Sequence, residues 1–151
     1  MPATKLKEYL DRENVKYVII GHSPAFTAQE IAERAHIPGK ELAKTVLVKI
    51  DGEMAMVVVP ASDHVKLAHL KEALGADDVD LADEYEFKDR FPDCETGAMP
   101  PFGNLYGMKV FVSTALREDD EIAFSAGSHS ELIRLPYTEF ERLVNPTPLA
   151  A

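Results

Sequence analysis

Apolar and polar positions along the chain switch repeatedly between helical and strand periods. In residues 4–13, Leu6, Tyr9 and Leu10 recur at i, i+3 and i+4, which predicts a helix, with Asn14 as its stop. Residues 15–20 predict a short strand closed by Gly21, followed by the loop His22-Ser23-Pro24-Ala25-Phe26. Thr27 and Glu30 form a capping box for a helix to about Ala35, with Ile31 and Ala32 inward and Pro38-Gly39 as its end. Residues 42–50 are dominated by β-branched and aliphatic side chains and predict a strand. Alternation places Lys44 on the face of Val46, Val48 and Ile50, and Thr45 with Leu47 and Lys49. Asp51-Gly52 predicts a hairpin into a second strand, 54–59, ended by Pro60.

Ser62 is the expected cap of a helix carrying Val65, Ala68, Leu70 and Leu74, with Gly75 at its stop. A brief strand is expected at 79–82, and Asp83 with Glu86 repeats the capping pattern for a short helix through Arg90. The texture then changes. Residues 91–107 hold three prolines and three glycines, too many for regular structure in a segment too apolar for a disordered linker. Strands are expected again at 108–113, 121–125 and 132–135, the last two separated by Gly127-Ser128-His129. Thr138 with Glu141 predicts a final capped helix ended by Asn145-Pro146, and 147–151 reads as a frayed tail.

Composition adds constraints. A chain of 151 residues with 46% hydrophobic and 28% charged residues is expected to form one domain with a substantial core. The longest apolar run, from Met54 to Pro60, is too short to span a bilayer, and no basic-then-apolar start suggests export. Cys94 is the only cysteine, so no internal disulfide is available and a cytoplasmic location is expected. The formal net charge of −10 argues against gripping long nucleic acid, DNA included, through many phosphates.

Lys44 is the first candidate for chemistry. At the mouth of a core it either snorkels its ammonium into water or meets an anion, and spacing alone leaves both open. The second is Gly97-Ala98-Met99-Pro100-Pro101-Phe102-Gly103, a stiff loop whose amides form either a cradle for a small polar ligand or only a structural turn. Met99 and Phe102 are candidates for the pocket wall or for the core. The third is Gly127-Ser128-His129, a hairpin turn or a ligand loop. His64 and His69 are five residues apart, off a common helix face, so no metal site is expected. No P-loop or dinucleotide fingerprint is present, and no cofactor is expected. Cys94 with His129 has the residue types of a nucleophile and base, with nothing local to activate the thiol.

His22-Ser-Pro-Ala-Phe-Thr-Ala-Gln-Glu-Ile-Ala, then Ala43-Lys44-Thr45-Val-Leu-Val, then Gly97-Ala-Met-Pro-Pro-Phe-Gly and a late strand–Gly127-Ser-His–strand occur in one order. This ordered set resembles the YbaK / aminoacyl-tRNA-synthetase-associated domain family. The resemblance extends over roughly residues 5–146. It implies an α+β fold with a mixed, strongly curled, barrel-like sheet flanked by helices. It also implies hydrolysis of the ester of mischarged aminoacyl-tRNA, as in free-standing trans-editing deacylases and the editing domain of some prolyl-tRNA synthetases. The family's lysine maps onto Lys44, the adjacent threonine onto Thr45, and the Gly-x-x-Pro loop onto Gly97 to Pro100. Pro101 is an equal match for the proline, with Ala98 then in the glycine's place. The late glycine maps onto Gly127, while Ser128 and His129 fit one subgroup of the family.

On this reading Lys44, Gly97 and His129 are the catalytic candidates. His22, Phe26, Thr45, Ala98, Met99, Pro100, Pro101, Gly103, Gly127 and Ser128 are the substrate-binding ones. The implied partner is aminoacyl-tRNA, mainly its 3′ acceptor end, with a synthetase as a possible second partner and no membrane. The acidic body fits contact with little beyond that 3′ end. Two alternatives stand beside it: a non-catalytic tRNA- or synthetase-binding module, and a small ester hydrolase that does not use tRNA.

Overall fold

The computed structural model describes residues 4–149 except Pro24, Phe26, Asp93, Thr96 and Gly97. Helix α1 (Thr4–Arg12) leads to β1 (Val18–Gly21), α2 (Ala28–Ala35), β2 (Leu42–Ile50) and β3 (Glu53–Pro60). Then follow α3 (Leu67–Leu74), β4 (Val79–Leu81) and α4 (Glu84–Phe87), which runs into a 3₁₀ turn at Lys88–Arg90. After the irregular segment come β5 (Lys109–Ser113), β6 (Glu121–Ser128), β7 (Glu131–Pro136), α5 (Tyr137–Val144) and β8 (Thr147–Leu149).

Local chemistry explains most boundaries. Asn14, His36 and Asn145 end α1, α2 and α5 in the left-handed region that short polar or imidazole side chains tolerate. Asp51 and Gly52 both have positive φ, the geometry that a two-residue hairpin turn between β2 and β3 requires. Thr27 Oγ1 accepts the Glu30 N–H at 3.1 Å, and Asp83 and Glu86 cap each other reciprocally at 3.2 and 3.0 Å.

Three expected boundaries are corrected. Ser62 is not a cap: residues 61–66 form a turn and an extended approach, and α3 starts after Lys66 with no side-chain cap. Thr138 lies inside α5, which starts at Tyr137 with the extended Pro136 as its N-cap and no side-chain cap bond. Residues 147–149 are not frayed but form β8, paired in parallel with β5 from Phe111↔Thr147 to Ser113↔Leu149.

The strands form one mixed sheet in the order β1-β7-β6-β2-β3-β5-β8, with β4 on β2. Helices cover both faces. Leu6 and Leu10 of α1, Phe140 of α5 and the buried Phe102 pack on one face around Phe124. Ile31 of α2 packs on the other with Leu42, and Leu70 of α3 packs there with Val48 and Val57.

The α+β class and the mixed sheet therefore hold, but the strong curl and the barrel-like closure do not. Among the described residues β1 and β8 are free ends of the path. The sheet forks instead of closing, since one edge of β2 is shared between β6 and β4.

Candidate functional site

The fork in the sheet creates the site. Strand β6 pairs with β2 only at Leu42 and Ala43, and β4 pairs with it only from Val48 to Ile50. Lys44, Thr45 and Val46 lie between, with no strand partner on that edge among the described residues. Across the same edge the Glu41 carbonyl accepts from Ala123 N–H and the Leu47 carbonyl from Ala82 N–H, both at 2.9 Å. Backbone polar groups of alternate residues point to the same side of a strand. Thr45, which falls in the same alternation as Glu41 and Leu47, thus turns its N–H and C=O into the gap. A strand edge left open in this way offers one donor and one acceptor to a ligand.

Lys44 stands at the start of the gap, half-buried on the face covered by α2 and α3. Its neighbours on that face are Leu42, packed under α2, and Val46 and Val48, packed under α3. Burial pushes its pKa below the ordinary lysine value, and the nearby Asp63 carboxylate pulls it partly back. Its ammonium makes no salt bridge among the described residues. A cation held in this way gains more from an added anion than a fully solvated one does.

Pairing with β2 ends at Phe124, so segment 125–128 of β6 leads off from the point where the gap begins. This segment carries a bulge between Ser125 and Ser128, and Gly127 has φ +88°. The bulge draws three loops together by backbone bonds. Gly127 N–H donates to Ala98 O at 2.9 Å, and Glu95 N–H to Gly127 O at 2.7 Å. His22 N–H donates to Ser130 O at 2.9 Å, and Ala25 N–H to His129 O at 3.1 Å. Glu95 Oε1 accepts from His129 N–H at 3.2 Å, and the buried Ser128 Oγ accepts from Ser130 N–H at 3.4 Å.

The expected residues therefore divide. His22, Ala98, Gly127, Ser128 and His129 meet at this junction, and Lys44 and Thr45 lie on the strand that borders the same gap. Met99 instead packs into the core of the opposite face with Phe102. Gly103 lies tight against Val110 and Met108, where a Cβ would come within 2.7 Å of Val110 Cγ2. Pro100 and Pro101 are buried beside them. Phe26 and Gly97 lie outside the described residues. No group of three or more His, Cys, Asp or Glu side chains among the described residues is arranged to hold a metal.

Two features carried no signal in the sequence. Glu95 ties three parts of the junction together: its amide binds Gly127, its carbonyl accepts from Ala98 N–H, and its carboxylate holds His129. His22 Nδ1 lies 2.8 Å from the Ser23 carbonyl, which can only accept, so Nδ1 carries the proton. Nε2 is left as a buried acceptor with no partner among the described residues.

An open mixed sheet whose fork leaves a lysine and an unpaired strand edge beside a junction of three loops defines a small α+β domain with an open polar edge. Residues 22–143 match the model of the aminoacyl-tRNA editing domain, and the chain belongs to that family. The family resemblance carried by the motifs is thereby shown.

Over 99 residues the chain is 29% identical to the proline–tRNA ligase of Halalkalibacterium halodurans, covering 66% of this chain and 17% of that enzyme. Over 60 residues it is 38% identical to the proline–tRNA ligase of Staphylococcus aureus strain Newman, covering 40% of this chain and 11% of that enzyme. The matches thus span less than a fifth of the length of these relatives. Among solved structures, a candidate trans-editing enzyme for prolyl tRNA synthetase superposes with a TM-score of 0.80 at 18% identity, covering 98% of this chain and 94% of that one. The hypothetical protein APE2540 superposes with a TM-score of 0.83 at 19% identity, with 97% of each chain covered. These structural likenesses establish the fold. No helix among the described residues is long and apolar enough to cross a membrane.

Proposed function

We propose that this protein hydrolyses the ester bond of mischarged aminoacyl-tRNA in the cytoplasm, with the gap beside Lys44 as the place of reaction. The observation that carries the reading is the open edge of β2 next to a partly desolvated lysine, in a chain that belongs to the editing-domain family. The Lys44 ammonium meets the 3′-terminal phosphate or the developing oxyanion, a charge-assisted contact favoured by its partial burial. The backbone of the proline-rich loop, tied to β6 by the Gly127 N–H bond to Ala98 O, holds the aminoacyl group. The open N–H of Thr45 is a further donor for it.

The reaction needs water as its second substrate. The water oxygen attacks the ester carbonyl carbon, and a tetrahedral intermediate carries the negative charge. Collapse expels the ribose oxygen, which takes up a proton, and free amino acid and intact tRNA leave. His22 and His129, whose backbones meet in the loop junction, are the candidate imidazoles to take or relay the water proton, alongside the vicinal ribose hydroxyl. Positioning and fixed dipoles carry most of the rate enhancement.

The test is deacylation of a panel of mischarged tRNAs, beginning with alanyl-, cysteinyl- and seryl-tRNA on prolyl and neighbouring acceptors, by the wild type and Lys44→Ala. Cleavage of one of them, lost in a folded Lys44→Ala protein, supports both the activity and the lysine's role. A wild type inactive on every charged tRNA but able to bind one favours the non-catalytic binding module. Equal cleavage of a minimal aminoacyl ester and the charged tRNA favours the small ester hydrolase.

A further inference from the structure

A cavity lies beyond Lys44 on the β3 side of β2, away from the loop junction. It has a volume of about 540 Å³, within the usual range for small-molecule sites, and sits between α3 and strands β3, β5 and β8. Its floor is apolar, built from Val57, Val59 and Leu70, with Leu149 of β8 closing one side.

Two observations tie this cavity to the gap. Val59 is the direct cross-strand partner of Lys44, and its side chain lines the cavity. Asp63 also lines it, and its charge acts on Lys44. The cavity and the lysine therefore share a wall. The acidic group on that wall is already turned to a cation.

The polar groups have a definite layout. Ser113, at the end of β5, is 4% exposed and lines the cavity. Its Oγ accepts from Ala115 N–H at 3.3 Å, which leaves its own proton to donate inward. At the opposite, solvent side stand Lys66, His64 and His69, all exposed. A flat apolar body with an acceptor on its inner edge and an anion on its outer side is complementary to this arrangement. A nucleotide has that shape: its base covers the aliphatic floor, a ring carbonyl or nitrogen accepts from Ser113, and its phosphate meets Lys66. On a body of net charge −10, Lys66 gives this lip a local positive charge that suits a phosphate.

We infer that this cavity seats the unpaired nucleotide immediately 5′ of the esterified terminal adenosine, so that the acceptor strand runs from Lys66 past Val59 to Lys44. The inference rests on the editing reading for the identity of the strand, while the cavity's preference for a nucleotide stands on its own geometry. It assigns α3 to substrate positioning and gives an acidic protein a grip on its substrate close to the scissile bond.

The direct test is NMR titration of the whole protein with the ribotrinucleotide CCA, with inorganic phosphate as control. Amide shifts concentrated at Val59, Lys66, Leu70 and Ser113 are expected. Lys66→Glu, which reverses the lip charge, and Ala73→Phe, which fills the cavity from an exposed helix position, are each expected to weaken binding roughly tenfold. Lys71→Glu makes the same charge change on α3 outside the cavity lining and is expected to leave binding within about twofold. No shifts at these positions, or equal weakening by Lys71→Glu, overturns the assignment.

With charged tRNA, the two cavity variants are expected to raise KM while leaving cleavage of an aminoacyl-adenosine, which lacks the 5′ nucleotide, unchanged. Loss on both substrates overturns the positioning role. Absence of all deacylation by the wild type instead defeats the editing reading, and the trinucleotide titration then decides the cavity by itself.

Discussion

Gly127 donates its N–H to the carbonyl of Ala98 at 2.9 Å from a backbone with φ +88°. This bond joins the bulged end of β6 to the proline-rich loop, and it exists because the bulge turns the amide sideways from the ladder. A side chain at this φ costs about 1–2 kcal/mol, since Cβ crowds the neighbouring carbonyl. Gly127→Ala is therefore expected to destabilise the protein by that amount. It is also expected to reduce deacylation by at least about tenfold, because a 1 Å misplacement of a positioning loop is costly. Denaturant unfolding and single-turnover kinetics measure the two effects separately. Wild-type kinetics in Gly127→Ala would show that the bridge to Ala98 does not place the reacting groups.

Glu95 supports the same junction through its side chain, accepting from His129 N–H at 3.2 Å. Its backbone bonds to Gly127 and Ala98 do not depend on its identity. Glu95→Ala is expected to lower kcat several-fold with little change in Tm, since the residue is exposed. Glu95→Gln, which keeps a carbonyl oxygen for the same N–H, is expected to recover most of the activity. The kcat ratio between the two variants is the readout; equal losses in both would point to the charge instead of the hydrogen bond.

Lys44 has a cost in stability as well as a proposed role in function. Its lowered pKa means that the folded state binds fewer protons than the unfolded state between the folded value and the ordinary 10.5. Stability from this group therefore rises with pH through that window, and at neutral pH the penalty is fully present. Lys44→Met keeps the aliphatic stem beside Val59 and removes the charge. It is expected to leave Tm unchanged or raised at pH 7, with the difference from wild type narrowing as pH climbs into the window. Deacylation is expected to fall by about a hundredfold or more, the usual loss when one electrostatic stabiliser is removed. A clear loss of Tm at pH 7 would mean that the ammonium stabilises the fold.

Gly103 shows where composition misleads. In the sequence it belongs to a loop that reads equally as a ligand cradle or a turn. In the structure it is packed, with Met108 N–H bonded to its carbonyl at 2.9 Å and no room for Cβ against Val110. Gly103→Ala is expected to cost about 1–3 kcal/mol through overpacking, without a specific effect on catalysis in the fraction that remains folded. Urea denaturation combined with activity per folded molecule checks both parts.

What the sequence disclosed follows from the range of each interaction. The Asp51-Gly52 turn and the Asp83–Glu86 capping box are local, and residue type alone predicts them. Ser62 had the right side chain for a cap, but the Ala61 amide bonds to the carbonyls of Gly39 and Leu42, and the chain does not enter α3 until after Lys66. Strand β8 was hidden by Pro148, which an edge strand tolerates, and by pairing with a partner 36 residues earlier, as in Phe111↔Thr147. The candidate site was legible as motifs: His22, Lys44, Ala98 and Gly127 were all named from sequence. Their meeting was not, because the His22–Ser130 and Gly127–Ala98 contacts are made by backbone atoms that every residue type carries. The open edge at Thr45 is likewise a consequence of where two other strands stop.

Tyr137 gives a test of the core that is independent of function. Its ring packs 5.8 Å from that of Phe140, and its hydroxyl is buried with no hydrogen-bond partner among the described residues. Desolvation pushes its pKa up to about 12, with the Glu141 carboxylate adding to the shift. Between the ordinary value of 10.0 and about 12 the unfolded chain loses this proton while the folded protein keeps it. The stability associated with the group is thus fully present below pH 10 and is lost as pH rises through that window. Tyr137→Phe keeps the ring contacts and removes both the unpartnered hydroxyl and the titration. It is expected to raise stability at pH 7 by about 1 kcal/mol, or roughly 2–4 °C in Tm for a chain of this size. Its unfolding curve is also expected to show a shallower decline than wild type between pH 10 and 12. Thermal melts of both proteins at pH 7, 10 and 11 decide it: a destabilised Tyr137→Phe at pH 7 would mean that the hydroxyl has a partner that stabilises the core.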